Sequence, residues 1–387
     1  MPNQIRLLTP GPLALAPEVK SCMQTDIGSR DLLFRQITEE IRRSIRELAG
    51  AGPDYTVIPV QGSGTFAIEA ALTTFLKPTD RVLVCVNGVY GELAVKILRR
   101  HALDHAVITR PITEPVPVDE VEARLAADPG ITHLYFVHCE TTSGLLNPFR
   151  RLVDVARRRG VRTIVDSMSA FGAIEVDARS TPFDVLISSG NKSLEAPPGI
   201  AFAVVRRDLL TPEHTVARTY TLDLLDQWRS FEATGEWRST PPTHIAQALL
   251  AGLRALRAEG VAGRRARYGG ICARIVTGMR RLGFEPILAP ELQAPICVAF
   301  RSDRLVPDDA AFAAYYEHLR EAGLFIYAKF HEASRSFRVG CIGQIEPEWV
   351  DDFLAETARF VRARTRPART RKAGSAGQLV AAHGAAG

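Results

Sequence analysis

The sequence predicts an α/β protein with a mostly parallel seven-stranded sheet covered by helices, and a smaller α+β domain at the C-terminal end. Short apolar runs rich in β-branched residues recur as far as about residue 205, and small polar residues follow several of them. Such runs are typical of strands buried in a parallel sheet. Helical patterns alternate with these runs, which indicates helices on both faces of the sheet.

The predicted elements follow one another in a regular order. Strands are predicted at 55–60, 81–86, 105–109, 132–138, 162–166, 184–188 and 200–205. Helices are predicted between them at 66–75, 91–100, 118–127 and 149–159. After Pro241 and Pro242 a long helical stretch is predicted, at 244–259 and 262–282. Strands at 295–300, 324–327 and 336–340 and helices at 308–322 and 347–362 complete the smaller domain.

Four regions follow from this order. They are a Pro-rich extended arm at 1–20, a large α/β domain at 21–260, a small α+β domain at 261–361 and a basic tail at 362–387. The tail holds six Arg and Lys residues and no acidic residue, so the net charge of +5 becomes −1 for the rest of the chain. We expect the tail to be disordered and dispensable. It has no aromatic residues and no folded module, so nucleic-acid binding is not expected.

Composition narrows the class further. The chain has 387 residues, 46% of them hydrophobic, and no apolar run as long as the roughly 18 residues of a membrane span. Its first residues have no signal-peptide core. The six cysteines form no CxxC pair and the nine histidines show no metal-ligand spacing, so no metal is expected. These features predict a cytoplasmic protein with reduced cysteines.

Two of the apolar runs end in residues that carry chemistry. The first ends at Asp166, and the second is followed by Lys192. In parallel sheets functional groups gather at the carboxyl ends of strands. Alone, such an Asp is often a helix cap and such a Lys a solvated charge. Together they fit pyridoxal phosphate, because the lysine can bond to its aldehyde and the aspartate can pair with its ring nitrogen.

Other segments upstream and downstream offer the remaining parts of a cofactor site. Ser63, Gly64 and Thr65 stand between a strand and a helix, where hydroxyl and N–H groups bind phosphate. Tyr90 lies between Gly88 and Gly91 in the segment after the next strand, and it can lay its ring over a flat cofactor. Thr142, in the His138-to-Gly144 segment, can hydrogen-bond a phenolic oxygen. Each segment alone is also compatible with an ordinary turn.

These segments resemble the 2-aminoethylphosphonate–pyruvate transaminases, a group of the class V, fold-type I aminotransferases that depend on pyridoxal phosphate. The resemblance covers about residues 5–361 and rests on the motifs LLTPGP at 7–12, QGSGT at 61–65, NGVYG at 87–91, HCETTSG at 138–144, VDSMS at 165–169, NK at 191–192, PPTH at 241–244 and FRVG at 337–340. It implies a homodimer with the active site at the subunit interface, and the substrates 2-aminoethylphosphonate and pyruvate.

The resemblance also assigns roles to individual residues. Lys192 would hold the cofactor and move the proton, and Asp166 would hold the ring nitrogen. Ser63, Gly64 and Thr65 would bind the phosphate, Tyr90 would stack on the ring, Thr142 would contact the ring oxygen, and Thr240 would reach the neighbouring subunit's phosphate. Arg338 would bind the substrate anion, and Arg30 is a candidate second cation. Glu195 departs from the family pattern and would add negative charge near the anion site if it pointed inward.

Three alternatives remain open at this point. An alanine–glyoxylate or serine–pyruvate aminotransferase is the main one, since it shares the cofactor motifs. A cysteine desulfurase would need a reactive cysteine on a mobile loop, and Cys341 stands in what reads as a buried strand. A non-catalytic sensor or scaffold would be expected to have lost the lysine or the aspartate. The physiological direction of the reaction, degradative or biosynthetic, stays open too.

Overall fold

The computed structural model describes residues 5–216 and 218–365. The strands are β1 (Arg6–Leu7), β2 (Tyr55–Gly62), β3 (Arg81–Val86), β4 (Asp104–Thr109), β5 (Ile131–Val137), β6 (Cys139–Glu140), β7 (Leu145–Leu146), β8 (Arg162–Asp166), β9 (Val185–Ser189), β10 (Gly199–Arg206), β11 (Glu285–Pro286), β12 (Cys297–Arg301), β13 (Leu324–Phe325) and β14 (Phe337–Gly340). The α-helices are α1 (Pro17–Ser21), α2 (Leu32–Leu48), α3 (Gly64–Phe75), α4 (Val89–Arg100), α5 (Val118–Ala127), α6 (Phe149–Arg158), α7 (Leu224–Thr234), α8 (Thr243–Glu259), α9 (Val261–Arg281), α10 (Asp309–Glu321) and α11 (Pro347–Thr365).

The main sheet has seven strands in the order β2-β10-β9-β8-β5-β3-β4. Strands β4, β3, β5, β8 and β9 are parallel, whereas β10 runs antiparallel to both β9 and β2. Nearly every residue of β3, β5, β8 and β9 is buried, which explains their continuous apolar runs. The predicted fold class is confirmed: a mostly parallel seven-stranded sheet covered by helices.

A second hydrophobic core belongs to the C-terminal part of the chain. It is formed mainly by residues from Ile271 to Phe360, together with Leu8 of the N-terminal segment. Strands β11, β12 and β14 form an antiparallel sheet there, and β1 pairs in parallel with β13. The main core comprises residues from Phe34 to Leu256. We keep the predicted division near residue 260 as a proposal; Gly260, with φ 74°, stands between α8 and α9.

Two predicted boundaries are wrong. The N-terminal arm is not extended to residue 20, because α1 begins at Pro17, a residue whose fixed φ suits the first turn of a helix. The tail does not begin at residue 362, because α11 continues to Thr365 and the Arg364 guanidinium donates to the Leu305 carbonyl at 3.2 Å. The predicted disorder of the rest of the tail concerns residues 366–387, which lie outside the described residues.

Two long helices have no counterpart among the predicted elements. Helix α2 begins after Asp31, whose carboxylate accepts the Leu33 N–H at 2.8 Å, and it packs against α8. Helix α7 begins after Asp223, which caps it in the same way. Both helices carry charged residues on one face and pack the other on the main core. Among the described helices, none is long and apolar enough to cross a membrane.

Candidate active site

The carboxyl ends of β8 and β9 bring the two central residues of the site to one edge of the sheet. Asp166 is the last residue of β8 and pairs in register with Ile187 of the parallel strand β9. Lys192 follows the end of β9 after a short turn. The parallel register therefore places the acid and the amine on the same side of the sheet, as the sequence predicts.

Asp166 is almost completely buried. One carboxylate oxygen accepts the Met168 N–H at 2.9 Å, and the other lies 3.4 Å from the Tyr135 hydroxyl. Burial raises the pKa of Asp166 to about 7, and the hydrogen bond from Met168 only partly offsets this. Within the described residues no cation forms an ion pair with this carboxylate. It is therefore an acceptor that lacks a positively charged partner.

Lys192 is held by the N-terminal segment. Its Nζ donates to the Pro10 carbonyl at 2.7 Å. Gly11, with φ 128°, lies so close that a Cβ atom there would stand 2.7 Å from Nζ. Burial lowers the pKa of Lys192, which favours the neutral amine that a nucleophile and proton carrier needs. No local sequence pattern predicts Pro10 as a partner, because the contact joins residues 182 positions apart.

The segment after β5 forms a hairpin of β6 and β7 around a buried carboxylate. Glu140 is completely buried, and its Oε1 accepts the Thr142 hydroxyl at 2.6 Å and the Thr142 N–H at 2.9 Å. The same hydroxyl accepts the Val89 N–H at 3.1 Å. The Thr142 hydroxyl thus donates its hydrogen bond to Glu140. Its contact with the ring oxygen of a bound cofactor stays a prediction. Burial raises the pKa of Glu140.

The N-terminus of α3 presents the predicted phosphate-binding residues. Ser63 is the N-cap residue and Thr65 belongs to the first turn, and both are exposed. Within the described residues neither hydroxyl has a hydrogen-bond partner. Gly64 is needed for close approach, because a Cβ atom there would stand 2.5 Å from the Met168 sulfur. This helix end joins the Asp166 loop, since Met168 also donates to Asp166.

Arg338 reaches the site from the smaller domain. It lies on β14, and its Nη1 donates to the Thr141 carbonyl at 2.7 Å. Its guanidinium also stacks on the Tyr327 ring, 3.9 Å from the ring centroid. Burial raises the pKa of Tyr90, and the positive charge of Arg338 opposes this effect. The Thr141 carbonyl that Arg338 contacts is adjacent to Thr142, whose hydroxyl accepts the N–H of Val89, the residue before Tyr90. The remaining N–H groups of Arg338 have no partner within the described residues.

Two predicted site residues lie apart from this group within one chain. Arg30 is 79% exposed at its side chain and forms a surface ion pair with Glu236 at 3.2 Å. Thr240 is exposed, and its carbonyl accepts the Gln61 side-chain amide at 2.8 Å. Neither residue has a hydrogen bond to the other site residues among those described. Their roles toward substrate and toward a neighbouring subunit stay predictions.

Glu195 points away from the anion site. Its carboxylate accepts the Tyr268 hydroxyl at 2.6 Å, the Arg267 guanidinium at 2.8 Å and the Gln344 amide at 2.5 Å. Arg264 stabilises the loop after Lys192 by donating a hydrogen bond to the Ser193 carbonyl at 2.8 Å. The charge that Glu195 adds is thus neutralised inside the protein. Its backbone is in the left-handed region, with φ 54°.

We expect Glu195→Ala to lower the free energy of unfolding by about 3 kcal/mol, because it removes one partner from a buried ionic cluster. Glu259 still pairs with the two arginines, which limits the loss. Urea denaturation measures the change. The control is Glu317→Ala, which removes an exposed ion pair with Arg320 and should leave the free energy of unfolding nearly unchanged. Equal losses in the two variants would contradict the structural role of Glu195.

The residues of the site fit pyridoxal phosphate. The buried Asp166 carboxylate needs a cationic partner, and a protonated ring nitrogen is one. The unpartnered hydroxyls and N–H groups at the start of α3 suit a phosphate. Lys192 supplies a primary amine with a lowered pKa at the same edge of the sheet as Asp166. A buried carboxylate without a cationic partner is otherwise unfavourable.

The fold and the site together define a fold-type I pyridoxal phosphate-dependent transferase. The family model "Aminotransferase class-V" matches residues 20–314. A 2-aminoethylphosphonate–pyruvate transaminase of Rhizobium meliloti is 41% identical over 91% of this chain and 92% of its own. One from Burkholderia thailandensis is 42% identical over 92% of this chain and 96% of its own. The chain belongs to the family of 2-aminoethylphosphonate–pyruvate transaminases within the class V aminotransferases, as its motifs predict.

Solved structures give the same fold. An alanine–glyoxylate aminotransferase from Nostoc sp. superposes with a TM-score of 0.85 over 93% of this chain and 96% of that one, at 23% identity. At this level of identity the likeness concerns the fold alone. The predictions of a pyridoxal phosphate cofactor and of an aminotransferase are confirmed by the family.

Proposed function

We propose that this enzyme transfers the amino group of 2-aminoethylphosphonate to pyruvate, giving phosphonoacetaldehyde and L-alanine, or catalyses the reverse reaction. The observation that carries the proposal is the position of Arg338, whose guanidinium donates to the Thr141 carbonyl next to Thr142 and keeps N–H groups without a partner among the described residues. A guanidinium binds a carboxylate or a phosphonate through two parallel hydrogen bonds. One residue can therefore serve the amino donor and the acceptor in turn. The named activity of relatives about 40% identical supports the same substrates.

The residues of the chain divide the work of transamination. When bound, pyridoxal phosphate supplies an electrophilic aldehyde and a ring that withdraws electrons from the reacting carbon. Asp166 stabilises the proton on the ring nitrogen, which keeps the ring electron-poor. The Lys192 amine would hold the cofactor and, as a free amine, would remove the proton from the substrate carbon and later return a proton. Arg338 orients the substrate by its anionic end.

A cysteine desulfurase is disfavoured by the state of Cys341. This thiol is completely buried, and both the neighbouring Cys272 side chain and burial raise its pKa. A desulfurase needs an accessible thiolate that can reach the substrate sulfur. The six cysteines are free thiols, which fits a reducing compartment such as the cytoplasm.

We infer that the enzyme is a homodimer. Several large apolar side chains are exposed in the single chain, and Tyr220 is 82%, Leu32 68% and Phe66 50% accessible. Exposed apolar groups of this size often mark an interface. Phe66 stands in the first turn of α3, next to the predicted phosphate site, and a groove lined by Phe66 and Ser239 leads toward Thr240. This proximity supports a dimer in which Thr240 approaches the partner's phosphate site.

A donor and acceptor screen tests the proposed reaction. The purified, cofactor-loaded enzyme is given 2-aminoethylphosphonate, L-alanine or L-serine, each with pyruvate or glyoxylate, and the amino acid formed is quantified by mass spectrometry. We expect the pair of 2-aminoethylphosphonate and pyruvate to react with the highest kcat/KM. Faster transfer from alanine or serine to glyoxylate would overturn the proposal in favour of the alternative aminotransferase.

Arg338→Ala is expected to weaken the apparent affinity for both 2-aminoethylphosphonate and pyruvate by about 1.5–3 kcal/mol, the range of a hydrogen bond to a charged group. Arg338→Lys should recover only part of the loss, because it cannot bind two oxygens in parallel. KM values for both substrates measure the effect, and cofactor binding should not change.

Arg335→Ala is a matched control, since Arg335 is half-exposed on the preceding loop and pairs with Asp303. It should leave both KM values within about twofold, as exposed pairs contribute little. A loss for pyruvate alone in Arg338→Ala would mean that the phosphonate binds elsewhere, with Arg30 the next residue to test.

A further inference from the structure

A cleft of about 750 Å³ lies between the sheet domain and the smaller domain. Gly88, Glu92 and Arg110 line it on the sheet side, and Arg301 and His331 on the other. Gly88 is the residue before α4, which carries Tyr90, and a Cβ atom at Gly88 would clash with the buried Glu140 side chain. On the other side of the cleft, His331 belongs to the segment that leads into β14, which carries Arg338.

The contacts of His331 determine which ring nitrogen carries its proton. Nδ1 lies 3.3 Å from the Ser334 N–H and 2.7 Å from the Ser334 hydroxyl. A backbone N–H can only donate, so Nδ1 is the acceptor and the proton of the neutral imidazole is on Nε2. Among the described residues Nε2–H has no hydrogen-bond partner. The imidazole thus offers one fixed, unused donor.

Charged groups on three sides act on this imidazole. Burial lowers the pKa of His331, Arg338 on β14 and Lys329 on the preceding segment lower it further, and Glu92 on α4 opposes them. Arg335 and Asp303 pair with each other farther along the cleft. His331 forms an antiparallel bridge with Ser336, and Arg338 lies two residues beyond Ser336, so the side chains of His331 and Arg338 project from the same face of this strand pair. His331 and Arg338 therefore form a neighbouring pair of donors, one neutral and one cationic.

We propose that the Nε2–H of His331 is a second contact for the phosphonate group of the amino donor, beside Arg338, and that it favours phosphonate over carboxylate substrates. A planar carboxylate is satisfied by one guanidinium, whereas a tetrahedral phosphonate has a third oxygen that needs a donor from another direction. The proposal rests on the proposed function. In this proposal His331 is the second residue that binds the phosphonate. The sequence suggested Arg30 for that role, but Arg30 forms a surface ion pair with Glu236.

The test compares the binding of two unreactive probes, ethylphosphonate and propionate, to the cofactor-loaded enzyme by titration calorimetry. The variant is His331→Asn, because an Asn side-chain oxygen can still accept the Ser334 N–H and cap the turn. We expect ethylphosphonate to bind about 5- to 10-fold more weakly, the effect of one lost hydrogen bond, and propionate to change by less than about twofold. Arg335→Ala, on the same loop, should leave both affinities within about twofold.

A second variant guards against a folding defect. His331→Gln places an N–H group at a reach similar to that of Nε2, and it should recover part of the ethylphosphonate affinity. Melting curves of both variants should match the wild type. An equal loss of ethylphosphonate and propionate affinity, or no loss of either in His331→Asn, would overturn the role of His331.

Failure of the proposed function gives a different result. If the wild-type enzyme converts 2-aminoethylphosphonate but His331→Asn binds ethylphosphonate normally, the substrate assignment stands and only His331 is excluded. If the wild-type enzyme neither converts 2-aminoethylphosphonate nor prefers ethylphosphonate to propionate, the substrate assignment fails and the role of His331 fails with it.

Discussion

Lys192→Ala is expected to lower the rate of transamination by a factor of about 10⁴ or more, because it removes both the amine that holds the cofactor and the group that moves the proton. The fold should be kept, since the side chain has one hydrogen bond, to the Pro10 carbonyl. Borohydride reduction of the wild type, followed by peptide mapping, should place the cofactor on Lys192, and the variant should carry no label.

Lys96→Ala is the control for this experiment, because Lys96 is an exposed residue of α4. It should take up the label and turn over substrate like the wild type. A label on any lysine other than Lys192 in the wild-type enzyme would contradict the assignment of the site.

Asp166→Asn is expected to lower turnover on the order of 10³-fold, because the neutral amide cannot stabilise a proton on the ring nitrogen. The side chain keeps its size, and its oxygen can still accept the Met168 N–H. Steady-state kinetics of the loaded variant measure the loss. Turnover close to that of the wild type would mean that Asp166 only caps the following turn.

Asp166→Asn is expected to lower turnover, but it should stabilise the cofactor-free protein at pH values above the pKa of Asp166. The pKa of Asp166 is about 7 in the folded state, against about 3.9 in an unfolded chain. Between these values the unfolded chain releases a proton that the folded protein keeps, so the stability of the free protein falls as pH rises from about 4 to 7. Asp166→Asn removes this dependence. Denaturation of the cofactor-free proteins at pH 5 and pH 8 checks the sign.

The seven strands of the main sheet were predictable because they are apolar, mostly β-branched runs that stop at polar or turn-forming residues, whereas the two-residue strands β1, β6, β7 and β11 were not predicted. Strand β8 is predicted with its observed bounds, and β9 differs by one residue at each end. Helix α2 was not predicted, although Asp31 before Leu32 is a recognisable N-cap signal. Most of its charged residues occupy the solvent face and obscure a buried stripe that includes Phe34 and Ile41, and one of them, Arg42, is itself buried.

Within the site, the local sequence predicted the residues that lie at the ends of strands. It could not predict the contacts that come from distant segments of the chain. Asp166 and Lys192 are placed by the sheet itself. The Pro10 contact and the burial of Glu140 depend on how separate loops pack, and no local pattern encodes them. The direction of Glu195 depends in the same way on arginines in α9. Arg338 was found only through the family motif, since a single arginine on a strand has no signature of its own.

Glu195 joins the loop that carries Lys192 to both ends of the smaller domain, through Arg267 of α9 and through Gln344 after β14. Arg267 adds a bond of 2.8 Å to the Gly343 carbonyl. Because the Glu195 carboxylate is buried and its partners Arg267 and Gln344 belong to the other domain, separating the domains would leave this charge without both partners at once. The two hydrophobic cores are thereby coupled thermodynamically, and we expect them to melt as one cooperative unit rather than in two independent steps.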